Sequence, residues 1–246
     1  GANVEVCGWF GNDSQGEQLR ALLENKGISV DKSFLFSGAP TISKTRVTSS
    51  NQQICRVDRE SDSNAYAPNL SVLQESLISK INSSDVVIVS DYGKGFVSNE
   101  LFRIIRKHAN FVSVDPKPSR LLQYENPDLL TPNRMEALEL VGKSRLMNEE
   151  LPQEEVVQEI FRKFSPKKLA ITLGADGMLL AEGEEIKKTI PTAAREVFDV
   201  SGAGDTVIAV LSMALVAKGS FEQSAQLANL AAGIVVGKVG TASVTT

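Results

Sequence analysis

Hydrophobic positions at the start of the chain predict one strand followed by one helix. The short apolar stretch Val4–Trp9 is typical of a strand, and Gly11–Asp13 has the composition of a turn. Beyond this turn, Leu19, Leu22 and Leu23 recur at the spacing of one helix face. We therefore expect the first segment to form a β-α unit.

Between positions 41 and 60 the pattern changes to alternating and β-branched residues, which predict a β-hairpin. The two strands are expected at Thr41–Ser49 and Gln52–Asp58, joined around Ser50-Asn51. We call this hairpin the ribbon, and we expect it to form a small appendage of the domain that contains it.

The two faces of the ribbon are unusually polar. Because side chains two positions apart share one face of a strand, Lys44 lies on one side with Arg46, and Arg56 lies on one side with Asp58. A ribbon of this kind either projects into solvent as a charged surface or covers a binding site. The pattern favours neither interpretation over the other.

From Asn69 onward, short apolar segments alternate with helical ones, which is the order typical of a parallel sheet. The strands lack polar alternation, so helices are expected on both faces. The economical architecture is one α/β domain over residues 1–246, with the ribbon at 41–60. Strands are expected at Val86–Val89, Phe111–Val114, Asp128–Thr131 and Leu169–Leu173, and helices at 69–82, Ser98–His108, Arg134–Val141, Gln153–Phe164, Ala203–Lys218 and Phe221–Val239.

Composition and charge narrow the classes of protein that fit. The 246 residues are 42% apolar and 23% charged, as in ordinary globular proteins. A formal net charge of −4 disfavours nucleic acid as a partner, and the longest apolar stretch, Val207–Ala217, is too short to span a membrane. Two cysteines without metal-site spacing, and a start without signal-peptide features, favour the cytoplasm.

Carboxylates are the residues available for acid-base chemistry, because the single histidine, His108, leaves no material for a histidine triad or a multi-histidine metal site. The segment Asp199–Thr206 precedes an apolar helix, where its glycines leave backbone N–H groups free to bind an anion. Asp205 would repel a bound phosphate, but it suits a base that takes a proton from a hydroxyl attacking phosphorus. A glycine-rich helix cap explains the same residues.

The segment Asp199–Thr206 resembles the C-terminal signature of the ribokinase-like (PfkB) carbohydrate kinases. Other segments follow in the order of that family, and the resemblance extends along nearly the whole chain. Within the family, the pattern is most similar to the kinases that act on D-glycero-β-D-manno-heptose 7-phosphate. The supporting segments are Ser90–Gly95, Asp115–Lys117, Thr131–Asn133 with Glu136, Thr172–Gly177, Lys44–Arg46, Asn51–Gln53 and Arg56–Asp58.

The resemblance implies a three-layer α/β/α fold with a mostly parallel central sheet and a β-ribbon lid. It also implies transfer of the γ-phosphoryl group of ATP to a sugar hydroxyl. Asp205 would be the general base in this reaction. The backbone N–H groups of Gly202, Ala203 and Gly204 would bind the charge that develops on the transferred group.

The resemblance further implies how ATP and Mg²⁺ are held. Asn133 and Glu136, spaced i and i+3 at a helix start, would hold Mg²⁺ through water, although a helix-capping pair has the same spacing. Thr172, Gly174 and Gly177 would lie against ATP, for which an ordinary hairpin turn is the alternative.

Ligand residues are also implied at the ends of other segments. Asp91, Lys94 and Lys117 follow apolar strands, where parallel sheets place their ligands, although a surface lysine commonly touches only water. By the same resemblance, Asp199 and Ser201 lie near a site for a monovalent cation such as K⁺.

The ribbon resembles the family's lid, which closes over sugar and often pairs with the lid of a second subunit. A homodimer is therefore implied. Lys44, Arg46 and Arg56 are then candidates for binding the phosphate of a sugar phosphate. The competing interpretation is a solvated charged ribbon.

The most similar branch of the family implies phosphorylation of the C1 hydroxyl of heptose 7-phosphate, giving the 1,7-bisphosphate that leads to ADP-heptose and lipopolysaccharide. The alternatives are a kinase for ribose, fructose or adenosine, and a non-catalytic nucleotide- or sugar-binding protein. The match begins inside the family's domain, so we expect the sequence to lack the family's N-terminal segment with its first strand, sugar-binding aspartate and Gly-Gly motif. The choice of sugar is accordingly the prediction with the least support.

Overall fold

The computed structural model describes residues 1–49, 52–118, 122–143, 151–194, 196–238, 240 and 242–244. The chain divides into two compact units. Unit 1 comprises Gly1–Leu77 with Lys94–Ser98, and unit 2 comprises Ile78–Gly93 with Asn99–Thr246.

Unit 1 begins with a short pair of parallel strands and one helix. Strand β1 (Phe10–Gly11) pairs with β2 (Leu35–Phe36), and helix α1 spans Ser14–Glu24. The helix begins where it does because the Asp13 side chain accepts a hydrogen bond from the backbone N–H of Gly16.

One prediction for this region is wrong and one is confirmed. Val4–Trp9 is not a strand, since Glu5 forms only an isolated bridge, to Ser29, and the Val4 side chain is exposed. Apolar composition was not sufficient here because a strand also needs a neighbour that pairs with it along its length. The predicted helix is confirmed as α1, which contains all three leucines, although Leu22 is 65% exposed.

Aromatic rings form the core of unit 1. Trp9 stacks on Phe36 with ring centroids 4.2 Å apart, and its ring meets Tyr66 edge-on at 5.3 Å. Phe96 lies 6.2 Å from Phe36 and 6.4 Å from Phe34, so it anchors the segment Lys94–Ser98 in this unit.

The ribbon is confirmed as a β-hairpin. Strand β3 (Ser43–Ser49) pairs antiparallel with β4 (Gln52–Arg59), and every residue of β4 is exposed. The predicted connection, Ser50 and Asn51, lies outside the described residues.

Unit 2 contains a six-stranded sheet made of β5 (Val87–Ser90), β6 (Val112–Asp115), β7 (Leu129–Leu130), β8 (Lys168–Thr172), β9 (Met178–Glu182) and β10 (Glu185–Ile190). Its spatial order is β10-β9-β8-β7-β6-β5. The strands from β5 to β8 are parallel, whereas β9 and β10 are antiparallel to their neighbours. The prediction of a mostly parallel sheet is therefore confirmed, although β9 and β10 were not among the predicted strands.

Six further α-helices follow the ribbon in the described part of the chain: α2 (Leu70–Asn82), α3 (Asn99–His108), α4 (Arg134–Leu140), α5 (Gln153–Phe164), α6 (Ala203–Val216) and α7 (Phe221–Val236). Each was predicted, with ends that differ by at most three residues. His108 ends α3 as predicted, but it is half-buried and not exposed. In the part of the chain that the structure describes, none of the helices combines the length and apolar character needed to cross a bilayer.

Helices cover both faces of the sheet. On one face, strand residues pack against buried residues of α6 and α7. Helix α4 contacts β8, and helix α5 contacts β10. Because side chains alternate along a strand, the intervening strand residues point to the other face, and they are buried as well. This is a three-layer α/β/α arrangement. The first core contains Leu129, Ala170, Met178, Leu180, Ile190, Val207, Leu211, Leu215, Phe221, Ala225 and Ala228.

Candidate active site

Polar side chains gather at the carboxyl ends of the parallel strands. Asp91 follows β5, Asp115 ends β6, Asn133 follows β7 and Thr172 ends β8. Asn133 and Thr172 form an isolated parallel bridge, so the ends of β7 and β8 are adjacent. Open parallel sheets bind their ligands at this edge.

Asp91 is a buried carboxylate that holds the loop after β5. It is 6% exposed, and its two oxygens accept hydrogen bonds from the Tyr124 hydroxyl at 2.6 Å and from the Gly93 backbone N–H at 2.7 Å. Burial and the neighbouring Asp91 charge raise the pKa of Tyr124 well above its usual range, so its hydroxyl remains a donor. Both oxygens of Asp91 therefore have protein partners.

Asp115 was missing from the predicted site residues, although its segment was recognised. The pKa of Asp115 is raised to about 7, chiefly by burial and also by the negative charges of Glu136, Asp205 and Asp91, against the opposing charge of Lys117. These four carboxylates therefore lie close enough to influence one another. The signal that could have identified Asp115 is its position directly at the end of an apolar strand, in register with the residue before Asp91.

Asn133 and Glu136 form the helix-capping arrangement that the sequence left open. The Asn133 side chain accepts hydrogen bonds from the backbone N–H groups of Met135 and Glu136, and one Glu136 oxygen accepts from the Asn133 N–H at 3.0 Å. The other Glu136 oxygen lies 3.3 Å from the Lys117 ammonium nitrogen. The capping box thus also fixes where the Glu136 carboxylate sits.

The N-terminus of α6 carries free backbone donors. Gly202 is its N-cap residue with φ +81°, a left-handed conformation that favours glycine, and no side chain caps the helix. The Ala203 N–H donates a long bond of 3.3 Å to Val200, whereas the N–H groups of Gly202 and Gly204 have no acceptor within the described residues. A Cβ on Gly204 would meet nothing within 4 Å, so the space beside it is open. Such a terminus can bind an anion.

Asp205 lies in the first turn of α6 and is exposed, not sealed in the interior. One of its oxygens accepts a hydrogen bond from the Tyr92 hydroxyl at 3.0 Å. Because the Asp205 charge also influences Asp115, the structure brings Asp205 to the strand ends that carry Asp91 and Asp115. Tyr92 was not predicted as a site residue.

The segment Thr172–Gly177 forms the hairpin turn that joins β8 to β9, which is the alternative the sequence left open. The Leu173 N–H donates to the Gly177 carbonyl at 2.8 Å. Gly177 has φ +92°, and a Cβ there would lie 2.0 Å from the carbonyl oxygen of Ile190. Packing against the end of β10 is thus sufficient to require glycine at this position.

Three of the predicted cations of unit 1, Lys94, Arg56 and Lys44, have partners within that unit. Lys94 pairs with Glu60 at 2.6 Å, and Asp58 pairs with both Arg56 at 2.8 Å and Lys44 at 3.4 Å. These contacts are compatible with the solvated-ribbon interpretation.

Direct metal binding by a protein cage finds no support in the described residues, since no group of three or more His, Cys, Asp or Glu side chains there could hold an ion. In the Asp199–Ser201 segment, one Asp199 oxygen accepts from the Ser201 N–H at 2.9 Å. An exposed carboxylate beside unpaired helix N–H groups is the arrangement that a phosphotransferase needs when an alcohol accepts the phosphoryl group.

Comparison with known protein families agrees with a phosphotransferase that acts on an alcohol. The profile of the pfkB family carbohydrate kinases matches residues 1–246, and the chain belongs to this family. Membership in a kinase family implies the use of ATP and Mg²⁺. The bifunctional protein HldE of Sulfurimonas denitrificans is 40% identical over 248 residues, which cover 99% of this chain and 51% of that protein. The chain thus spans about half the length of the curated relatives it matches.

Solved structures confirm the ribokinase-like fold. The structure of Arabidopsis thaliana ribokinase complexed with ribose and ATP matches with a TM-score of 0.76 and 21% identity, over 97% of this chain and 77% of that one. Phosphofructokinase-2 from Escherichia coli in complex with potassium matches with a TM-score of 0.77 and 18% identity, over 99% and 79%.

Proposed function

We propose that this chain is an ATP-dependent kinase that phosphorylates the C1 hydroxyl of D-glycero-β-D-manno-heptose 7-phosphate to give the 1,7-bisphosphate. The observation that carries the kinase proposal is the exposed Asp205 carboxylate beside the unpaired N–H groups at the start of α6. The choice of heptose rests on the sequence resemblance, and the site residues below are part of the proposal.

Asp205 would act as the general base. The acceptor hydroxyl donates its hydrogen to the carboxylate, and the proton passes to Asp205 as the oxygen forms its bond to the γ-phosphorus and the bond to the ADP oxygen breaks. Negative charge that develops on the transferred group is stabilised by the N–H groups of Gly202 and Gly204 and by the positive end of the α6 dipole. Ala203 would contribute less, because its N–H already donates to Val200.

The residues at the strand ends fit a hydrated Mg²⁺. The pKa of Asp115 is raised first by burial and then by the charges of nearby carboxylates, which Lys117 only partly balances, and a divalent cation would offset those charges. Mg²⁺ usually keeps several waters and takes one or two carboxylates together with substrate phosphates. Glu136 and Asn133 would hold the ion through water, and the ion would supply positive charge to the phosphates of ATP.

Three further groups complete the proposed ATP and sugar contacts. Thr172, Gly174 and Gly177 would lie against ATP, and Asp91, Lys94 and Lys117 would contact substrates. Asp199 and Ser201 offer a carboxylate and a hydroxyl oxygen, donors that suit K⁺, and the Escherichia coli neighbour was solved with potassium.

The polar face of the ribbon supports an acceptor that is already phosphorylated. The register places Arg46 directly opposite Arg56, and within the described residues Arg46 has no carboxylate partner. Like charges opposite each other destabilise a strand pair, and a phosphate dianion would neutralise both guanidinium groups. Lys44 lies on the same face, where Asp58 is its partner.

The other face of the ribbon supports a homodimer. It carries the paired residues Val47 and Cys55, with Val57, which is 58% exposed, next along β4. A two-stranded hairpin without a covered apolar face is marginally stable. We propose that the ribbon of a second copy covers this face.

The experiment measures ADP release by the purified protein with ATP, Mg²⁺ and heptose 7-phosphate, in parallel with ribose, fructose and adenosine. We expect heptose 7-phosphate to be the preferred acceptor, and Asp205→Asn to bind ATP yet turn over at least about 10²-fold more slowly. Near-normal turnover by this variant contradicts the role of Asp205. Preference for another acceptor overturns the heptose assignment, and ATP binding without transfer to any acceptor favours a non-catalytic binding protein.

A further inference from the structure

Tyr92 sits on a loop that the protein holds from both sides. It lies between Asp91, whose carboxylate is fixed by the Tyr124 hydroxyl, and Gly93, whose N–H donates back to Asp91 at 2.7 Å. Gly93 has φ +67°, the left-handed conformation that lets this short loop turn. The backbone that carries Tyr92 is thus tied to a buried hydrogen-bond network, which fixes the point from which its side chain extends.

The side chain itself reaches the proposed base. Tyr92 is 64% exposed, so water could satisfy its hydroxyl, yet that hydroxyl donates to Asp205 across 113 positions of the chain at 3.0 Å. Loss of hydration and the charge of Asp205 raise the pKa of Tyr92, so the hydroxyl stays protonated and remains a donor at neutral pH. An alcohol-type O–H pointing at the Asp205 carboxylate is the contact that an acceptor sugar would make.

We infer that Tyr92 is a positioning residue whose hydroxyl holds the acceptor's place at Asp205 until the sugar displaces it, and so limits phosphoryl transfer to water. This inference rests on the proposed kinase function.

The side reaction that Tyr92 would limit is ATP hydrolysis. Without a competing donor, a water molecule can donate to Asp205, which removes its proton while the water oxygen bonds to the γ-phosphorus and the bond to the ADP oxygen breaks. The products are ADP and inorganic phosphate. With Tyr92 in place, water must displace the tyrosine hydroxyl before it can occupy this position.

The first test compares the wild-type protein with Tyr92→Phe. Removing the hydroxyl should raise acceptor-independent ATP hydrolysis by about tenfold, a factor equal to the loss of one competing hydrogen bond. With the sugar acceptor, kcat should change by less than about threefold while KM for the sugar falls, because the sugar no longer displaces Tyr92. Tyr66→Phe makes the same chemical change at a buried residue of unit 1 and should leave hydrolysis at the wild-type rate. Unchanged hydrolysis in Tyr92→Phe overturns the inference.

The second test does not depend on kinase activity. The chain has three tyrosines, and the phenolate absorbance of Tyr92 is identified as the part of the titration that Tyr92→Phe removes. Removing the neighbouring charge in Asp205→Asn should lower the pKa of Tyr92, seen in the phenolate absorbance. An unchanged titration overturns the inference whatever the kinase assay gives. Absence of transfer to every acceptor in the wild-type protein instead overturns the proposed function.

Discussion

The two ends of the sheet in unit 2 differ in how Asp128 and Asp115 are surrounded. At the amino end, Asp128 is 3% exposed and is paired with Arg106 at 2.7 Å and Lys167 at 2.6 Å, while the Val112 N–H donates to it at 2.8 Å. At the carboxyl end, Asp115 is surrounded mainly by other carboxylates, and burial raises its pKa to about 7. At the amino end, the carboxylate forms ion pairs that hold strands and helices together. At the carboxyl end, the negative charges around Asp115 are only partly balanced by Lys117.

This difference separates a structural cluster from a functional one. A buried carboxylate that is paired with two cations and a backbone donor is neutralised and hydrogen-bonded within the protein. Carboxylates that repel one another are stabilised by something from outside, such as a proton or a cation. The ligand-binding edge of the sheet can therefore be recognised from its electrostatics as well as from its topology.

The largest loss of stability is expected when the ion pairs of Asp128 at the amino end of the sheet are removed. Asp128→Ala leaves Arg106 and Lys167 without their carboxylate and should reduce the free energy of unfolding by about 3–5 kcal/mol. Urea unfolding monitored by circular dichroism measures this free energy. Asp176→Ala, which removes an exposed carboxylate paired with Arg134, is the matched control and should cost less than about 1 kcal/mol. Equal losses in the two variants would remove the distinction drawn between the ends.

A gain in stability of comparable size is expected from a substitution of Asp115 at the carboxyl end of the sheet. Asp115 has an ordinary pKa of 3.8 when unfolded and about 7 when folded, so the folded state retains a proton that the unfolded chain releases. Its contribution to stability is full below pH 3.8 and is lost as the pH rises through about 7. Asp115→Asn should therefore match the wild-type protein near pH 4 and exceed its stability by up to roughly 4 kcal/mol at pH 8.

Urea unfolding of both proteins across that pH range measures this difference. A constant difference between them at all pH values would show that Asp115 does not titrate with a raised pKa.

The smallest change in stability is expected at the start of α4, where substitutions separate the helix-capping role of Asn133 and Glu136 from their proposed role in Mg²⁺ binding. Asn133→Ala removes the N-cap acceptor and should cost about 1 kcal/mol of stability. Glu136→Gln keeps a side chain that can complete the capping box but removes its charge, so stability should hardly change while the Mg²⁺ concentration needed for half-maximal activity rises. An unaltered Mg²⁺ requirement would leave Glu136 with the capping role alone.

Elements with a strong local signature could be predicted well. The helices α2 to α7 were located within three residues because their apolar positions repeat at helical spacing. The strands from β5 to β8 were recognised as apolar runs between helices. The hairpin of β9 and β10 was missed because β9 is a continuous buried run of four residues, from which periodicity cannot separate strand from helix. The stretch Val4–Trp9 had strand-like composition, but its strand pairing is limited to one isolated bridge, between Glu5 and Ser29.

The candidate site was predicted in part. The segment Asp199–Thr206 was found because its glycines and acidic residues are adjacent in the sequence and precede a helix. Asp115 and Tyr92 were missed because what distinguishes them comes from distant segments. The pKa of Asp115 depends on burial and on charges from three other segments, and Tyr92 meets its partner 113 positions away. The roles of Asn133 and Gly177 were left open because a cap or a turn and a ligand contact require the same residue types.

The sequence by itself determined the helices, the parallel strands of the main sheet, the ribbon and the segment that would carry the base, because each depends on residues within about one turn or one strand of each other. Only the tertiary structure decided which carboxylates share one end of the sheet, which of them are neutralised, and that Tyr92 reaches Asp205. Burial and Coulomb interactions depend on distance in space, and the fold sets that distance between residues far apart in the chain.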